Sequence, residues 1–262
     1  MLPTENMRPC GKLSKVQNRG IDIKKREILL MSEVAESPIL KILKNAPPVV
    51  LMLALVGAII WNLPNLTWYE IVWFFMLLGI FGIRIPFEIQ NRQNKITTSR
   101  NNWLEKLLLL AMFLSMGPFP LIYLAINGTT ANIFALANYH LPDIAVWFGV
   151  LLVLPMLFLF WRSHVDLGRN WSAKLEIHSE QKLVTNGVYS RVRHPMYLAL
   201  WIAVIAQPLL IHNWVAGFLV VPVFLVMYLS RMKHEEAMMQ RQFGKDYADY
   251  IDRTGRILPK IN

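Results

Sequence analysis

The run PMYLALWIAVIAQPLLIHNWVAGFLVVPVFLVMYLS fills residues 195–230 and contains no Lys, Arg, Asp or Glu. His212-Asn213 divides it into two apolar arms of about 17 residues each, near the lower limit for crossing a hydrocarbon core. A connection that short forces an antiparallel helical hairpin. Gly187-Val-Tyr189 and Arg193-His194 come just before it. Arg231, Glu235-Glu236, Phe243-Gly244, Tyr247 and Tyr250 follow it. Both ends of a hairpin open on one membrane face, so the two polar sets can meet.

The rest of the chain reads the same way. Of 262 residues, 55% are apolar and 17% charged, against about 25% charged in a soluble domain. The apolar residues come in blocks. They predict spans at 46–63, 67–87, 104–126 and 141–161, before the two hairpin arms. The predicted fold is therefore an all-α integral membrane protein with about six transmembrane helices. Three parts follow: a basic leader over 1–45, four spans within 46–161, and a core over 162–262. Within the leader, the helical spacing of Ile28–Leu43 predicts a helix lying on the membrane surface. A segment without fixed structure is the other reading of residues 1–27.

Charge sets the topology. Lys and Arg number nine in 1–45, five in 84–106, six in 162–194 and seven in 231–262, which accounts for all 27. The turns at 64–66, 127–140 and 212–213 hold none. Six spans put every basic segment on one side, and the positive-inside rule makes that side, with both termini, cytoplasmic. This lopsidedness explains the net charge of +10 without nucleic acid. A lone cysteine, Cys10, excludes an internal disulfide framework, and no His pair has metal-ligand spacing. On the far side, Asn65-Leu-Thr67 and Asn127-Gly-Thr129 match the glycosylation pattern. Glu70 and Arg84 are expected to snorkel to the interface, Gly57, Gly79 and Gly82 to serve close helix packing, and seven aromatic residues, Trp201 among them, to form a belt at span ends.

In the basic segments, Leu175–His178 alternates as a short strand does, and Gln181–Val184 is its expected returning partner. Asn186-Gly187 is a turn signal. Pro195 suits the first turn of a helix, which puts Arg193 and His194 where free backbone N–H groups favour an anion. Beyond the hairpin, Arg231, Glu235, Met239 and Phe243 share a helical face, and Phe243 to Tyr250 is expected to pack back with tyrosine tips exposed. A positive-inside anchor at Arg193, a cap at His194 and a solvated Glu pair are the purely structural readings of these residues. A ligand that serves both sets needs a carboxylate, an ammonium and a flat group. S-adenosylmethionine has all three.

Gly187-x-Tyr189, Arg193-His-Pro-x-Tyr197, Glu235-Glu236 and Phe243-Gly-x-x-Tyr-x-x-Tyr250 resemble the isoprenylcysteine carboxyl methyltransferase family, with bacterial phospholipid methyltransferase-like proteins sharing the pattern. It covers about residues 165–260. The resemblance implies an S-adenosyl-L-methionine pocket at the cytoplasmic face, lined by Gln181, Lys182, Leu183, Val184, Tyr189, His194, Pro195, Met196, Tyr197 and Glu235. It implies Arg231 as the substrate-binding arginine and Glu236 as a further catalytic candidate. Ala199 departs from the glycine common in the family. Six spans resemble a smaller prokaryotic member, hence a bacterial inner membrane more than endoplasmic reticulum. The implied reaction is carboxyl O-methylation of an isoprenylcysteine-like or other lipophilic acceptor, with membrane lipids as surroundings and with neither metal nor nucleic acid. Phospholipid N-methylation, an NADPH-dependent sterol-type reductase and a non-enzymatic adaptor are the competing readings.

Overall fold

The computed structural model describes residues 54–91, 96–99, 103–170, 176–178 and 182–260. The expected leader, the surface helix over Ile28–Leu43, the start of the first span and Gln181 lie outside them. Apolar runs become helices because lipid offers no partner for backbone N–H and C=O groups. Along the chain these are α1 (Ala54–Asn65), α2 (Trp68–Asn91), α3 (Trp103–Met116), α4 (Pro118–Ile126), α5 (Asp143–Leu167), α6 (Pro195–Leu210), α7 (Val220–Phe243) and α8 (Lys245–Arg253). A π-helical turn over Trp214–Phe218 leads into α7. Four of the described helical stretches are long and apolar enough to cross a membrane: α2, α3 with α4, α5, and α7 with its π turn. The helices are those of an integral membrane protein. α1 and α6 are shorter and also apolar.

Several expectations change. The third apolar stretch is two helices that meet at Gly117, because the following Pro118-Phe-Pro120 opens a new first turn. The last helix does not stop at Ser230. Nothing before Gly244 breaks it, and Gly244, at φ +52°, ends α7 and turns the chain into α8. Among the described residues the regular structure is helical apart from a short antiparallel ladder, in which β2 (Glu176–His178) pairs with β1 (Ile96–Ser99). Of the expected partner, Gln181–Val184, the described residues 182–184 form no strand, and Lys182 gives its backbone N–H to Asn170 Oδ1 at 2.8 Å. Gly79 does serve packing, since a Cβ there would lie 2.9 Å from Leu157, but Gly57 and Gly82 face open space. Trp201 is not in the belt; it packs on Phe224 and Tyr228.

The core lies where α2, α5 and α6 meet, around Trp73, Met76, Met156, Phe160, Ala199 and Ala203. A second cluster joins α3, α6 and α7 through Met112, Val204, Val220 and Phe224. Successive contacts run in opposite order along α6 and α7. Tyr197 meets Tyr228, Trp201 meets Phe224, and Gln207 Nε2 donates to Ala216 O at 2.9 Å. Outward-facing Leu151, Leu154, Phe158 and Leu225 stay exposed, as side chains against lipid do.

The neutral turns gather at one end of this bundle. Asn62 Nδ2 donates to the Leu124 and Asn127 carbonyls, and Asn213 Nδ2 donates to Asn138 Oδ1. Glu70 does not snorkel. It is buried, its Oε2 accepts from the backbone N–H and hydroxyl of Thr67, and its Oε1 accepts from Asn127 Nδ2. This is the returning half of a capping box, in which the third helical residue reaches back to the N-cap. Asn65 and Asn127 spend their side-chain amides inside this network, which argues against their carrying glycans. The charged segments meet at the other end.

Candidate active site

At the charged end, Asp166 closes the last turn of α5. Its Oδ1 takes Arg162 Nη2 at 2.5 Å and its Oδ2 takes the Val188 N–H at 2.9 Å. That second bond seats the Gly187–Ser190 turn directly on α5. Gly187 is held at φ +58°, and a Cβ there would lie 2.1 Å from Asp166 Oδ2. Both the left-handed backbone and the contact demand glycine. Gly187→Ala should therefore lower stability by about 1–3 kcal/mol and displace the turn. Thermal unfolding and cofactor binding of the purified variant check this, and a wild-type midpoint would contradict the placement.

From the turn, Tyr189 points inward. It is buried, its hydroxyl donates to Ser163 O at 3.3 Å, and its carbonyl accepts from the Tyr250 hydroxyl at 2.5 Å. Burial pushes the Tyr189 hydroxyl far above its usual range and Tyr250 up to about 12. Both stay protonated donors at neutral pH. The tips of Tyr247 and Tyr250 were expected to be exposed. Both rings are instead buried, because α8 folds back against the Gly187–Ser190 turn.

The chain after α8 then runs beside the residues that lead into α6. Val192 and Gly255 form a parallel bridge. The Arg193 N–H donates to Gly255 O and the His194 N–H to Arg256 O, both at 2.9 Å. This strap carries Arg256 to Glu236, where Nε donates to Oε1 at 3.1 Å and Nη2 to Oε2 at 2.6 Å. Arg193 reaches the same carboxylate at 3.2 Å and also donates to the Ile251 and Thr254 carbonyls. The bond to Glu236 raises the pKa of Arg256. Glu236 is thus committed to two guanidinium groups, with His194 Nε2 3.6 Å from its Oε1.

Glu235 is disposed otherwise. Its Oε2 accepts from the Tyr197 hydroxyl at 2.8 Å. Its Oε1 lies 3.7 Å from His194 Nδ1, and Arg231 Nε stands 3.9 Å from Oε2. Its side chain is 29% exposed, against 16% for Glu236. Nη1 of Arg231 lies 3.9 Å from Oε1 of Glu105, in the first turn of α3. The site thus offers one partly open carboxylate, an arginine, a histidine at a helix amino terminus and two tyrosines.

The structure brings together five of the residues singled out from sequence: His194, Tyr197, Arg231, Glu235 and Glu236. Pro195 starts α6 and is buried; Met196 packs against the bundle core. Lys182 is exposed and Leu183 and Val184 half-buried, on the approach from Asn170. Tyr189 supports the site from the α5 side. Glu105, Asp166 and Arg256 carry more of the geometry than their sequence positions indicate. The one signal for Glu105 was an acidic residue opening an apolar span. Among the described residues no group of His, Cys, Asp and Glu has the arrangement of a metal site.

Residues 147–241, from mid-α5 to the end of α7, match the model of the isoprenylcysteine carboxyl methyltransferase (ICMT) family. The likeness to the ICMT family covers that stretch. Within it lie the Asp166 clamp, the start of α6 and the Arg231–Glu236 face; Glu105 and the Arg256 strap lie outside. Protein-S-isoprenylcysteine O-methyltransferase B of Arabidopsis thaliana is 26% identical over 117 residues, 44% of this chain and 59% of that one. The nickel-cobalt-cadmium resistance protein NccN of Alcaligenes xylosoxydans xylosoxydans is 26% identical over 97 residues, 37% of this chain and 45% of that one. The chain spans about half the length of the curated relatives it matches. A solved eukaryotic intramembrane Ras methyltransferase ICMT aligns over 60% of this chain and 52% of its own, with 22% identity and a TM-score of 0.39.

Proposed function

We propose that this protein is an integral membrane methyltransferase that takes its methyl group from S-adenosylmethionine and gives it to the carboxylate of a lipophilic acceptor. The observation that carries this reading is Glu235. Within the ICMT-matching stretch it is a carboxylate with an open side, next to an arginine and the amino terminus of α6. In this reading α6 and α7 form a membrane hairpin, the protein has six spans, and the charged end, with both termini, faces the cytoplasm. A bacterial inner membrane suits the small number of spans.

When bound, S-adenosylmethionine supplies a methyl group already activated on a sulfonium. Glu235 would face that positive charge. His194, at the positive amino terminus of α6, would receive the carboxylate of the cofactor's amino-acid part. Arg231 holds the acceptor's carboxylate, for which a planar donor fork is suited. An acceptor carboxylate is ionised at neutral pH, so no base is needed. Glu236 is committed to Arg193 and Arg256, and its part is to hold the frame. What remains is alignment and exclusion of water.

One observation favours a second reading. Two carboxylates flank Arg231, a setting that suits an amine acceptor such as a phospholipid headgroup. Transfer of tritiated methyl groups from S-adenosylmethionine into a membrane extract separates the two. The first predicts a base-labile ester, the second a base-stable amine, and no transfer would overturn both.

A further inference from the structure

Glu105 and Arg231 come from helices far apart in sequence, and their side chains are only 15% and 10% exposed. Yet the pair does not make the fork that arginine and carboxylate adopt when left to themselves. The approach is 3.9 Å, and Oε2 of Glu105 is buried with no hydrogen-bond donor. An enclosed carboxylate oxygen without a donor is destabilising. Glu235 restrains Arg231 from the other side, also at 3.9 Å. The guanidinium therefore sits between two carboxylates, each 3.9 Å away.

We propose that Glu105 is a stand-in for the acceptor's carboxylate: it neutralises Arg231 while no acceptor is bound and yields the guanidinium when one enters. This deepens the reading above and rests on Arg231 being the acceptor's anchor. Glu105 is then a specificity-determining residue. An acceptor that carries a carboxylate replaces the charge Glu105 withdraws. A neutral acceptor of the same shape leaves Glu105 in place and gains nothing from Arg231. The acceptor's charge is thus selected by a residue outside the family-matching stretch.

The test uses the full chain in detergent and two probes: N-acetyl-S-farnesylcysteine as the free acid and as its carboxamide. Titration calorimetry measures binding without requiring turnover. Glu105→Gln keeps the shape and removes the competing charge. It should tighten binding of the acid by about five- to tenfold and leave the amide unchanged. KM for the acid should fall in step with little change in kcat. Glu105→Asp, with its charge drawn back by one methylene, should fall between. Arg231→Gln should abolish the preference for acid over amide in either background. Acid binding that is unchanged, weaker or absent in Glu105→Gln would overturn the proposal. So would equal changes for acid and amide, which mark a packing role. Labelled-methyl transfer by wild type into membrane extract is scored separately, so loss of the methyltransferase reading is distinguishable from loss of this one.

Discussion

Glu235→Ala should lose S-adenosylmethionine binding while the protein still folds. Removing one partner of an enclosed, hydrogen-bonded charge pair costs about 2–5 kcal/mol, or about thirtyfold and upward in affinity. The fold survives because Glu235 is the less committed of the two glutamates. Its one close donor is the Tyr197 hydroxyl, and Arg231 keeps Glu105. Stranding the tyrosine hydroxyl costs about 1–3 kcal/mol. Glu235→Gln avoids even that, because the amide oxygen still accepts from Tyr197. Gln should therefore melt like wild type and still fail to bind. Equilibrium binding and thermal unfolding of the three proteins check this. Undiminished binding in either variant would remove Glu235 from the site.

Glu236→Ala should do the opposite and cost stability first. Arg193 is 8% exposed, and Glu236 is its only carboxylate partner among the described residues. Two backbone carbonyls would remain to it, but they carry no compensating charge. Breaking such a pair from one side costs about 3–5 kcal/mol, which for a chain of this size is a midpoint lower by about 6 °C or more. The strap should loosen with it, since Arg256 holds its place through the same carboxylate. Arg256→Ala should be milder, about 1 kcal/mol, because that side chain is half exposed. A pair of variants in which Glu235→Ala unfolds and Glu236→Ala only loses cofactor would invert the account.

The partners of the two neighbouring glutamates were not legible in the sequence. Adjacent positions on a helix point about 100° apart, and only the partners on each side tell them apart. For Glu236 those are Arg193 and Arg256; for Glu235, Tyr197 and Arg231; His194 stands between the two. The apolar helices and the gathering of three of the basic segments were legible, because apolar length and positive charge are read locally. Arg231–Glu105, β1–β2 and Arg193–Glu236 join three of those basic segments at one end. Glu70 was misread because an acidic residue near a span end snorkels by default. Its capping box began at Thr67, but its burial depends on Asn127, brought in from another turn. The strand over Glu176–His178 was visible, and its partner was not, since Ile96-Thr-Thr-Ser99 has no apolar alternation. α7 passed its expected end because helix breaking is set by Gly244 and not by where the lipid stops.

Equilibrium binding to the purified full-length protein in detergent tests the central claim most directly, with S-adenosylmethionine and NADPH titrated in parallel into wild type and Glu235→Gln. The account predicts that wild type binds S-adenosylmethionine and not NADPH, and that the variant, equally stable, binds neither. NADPH binding without S-adenosylmethionine binding, or equal affinity for S-adenosylmethionine in both proteins, would contradict it.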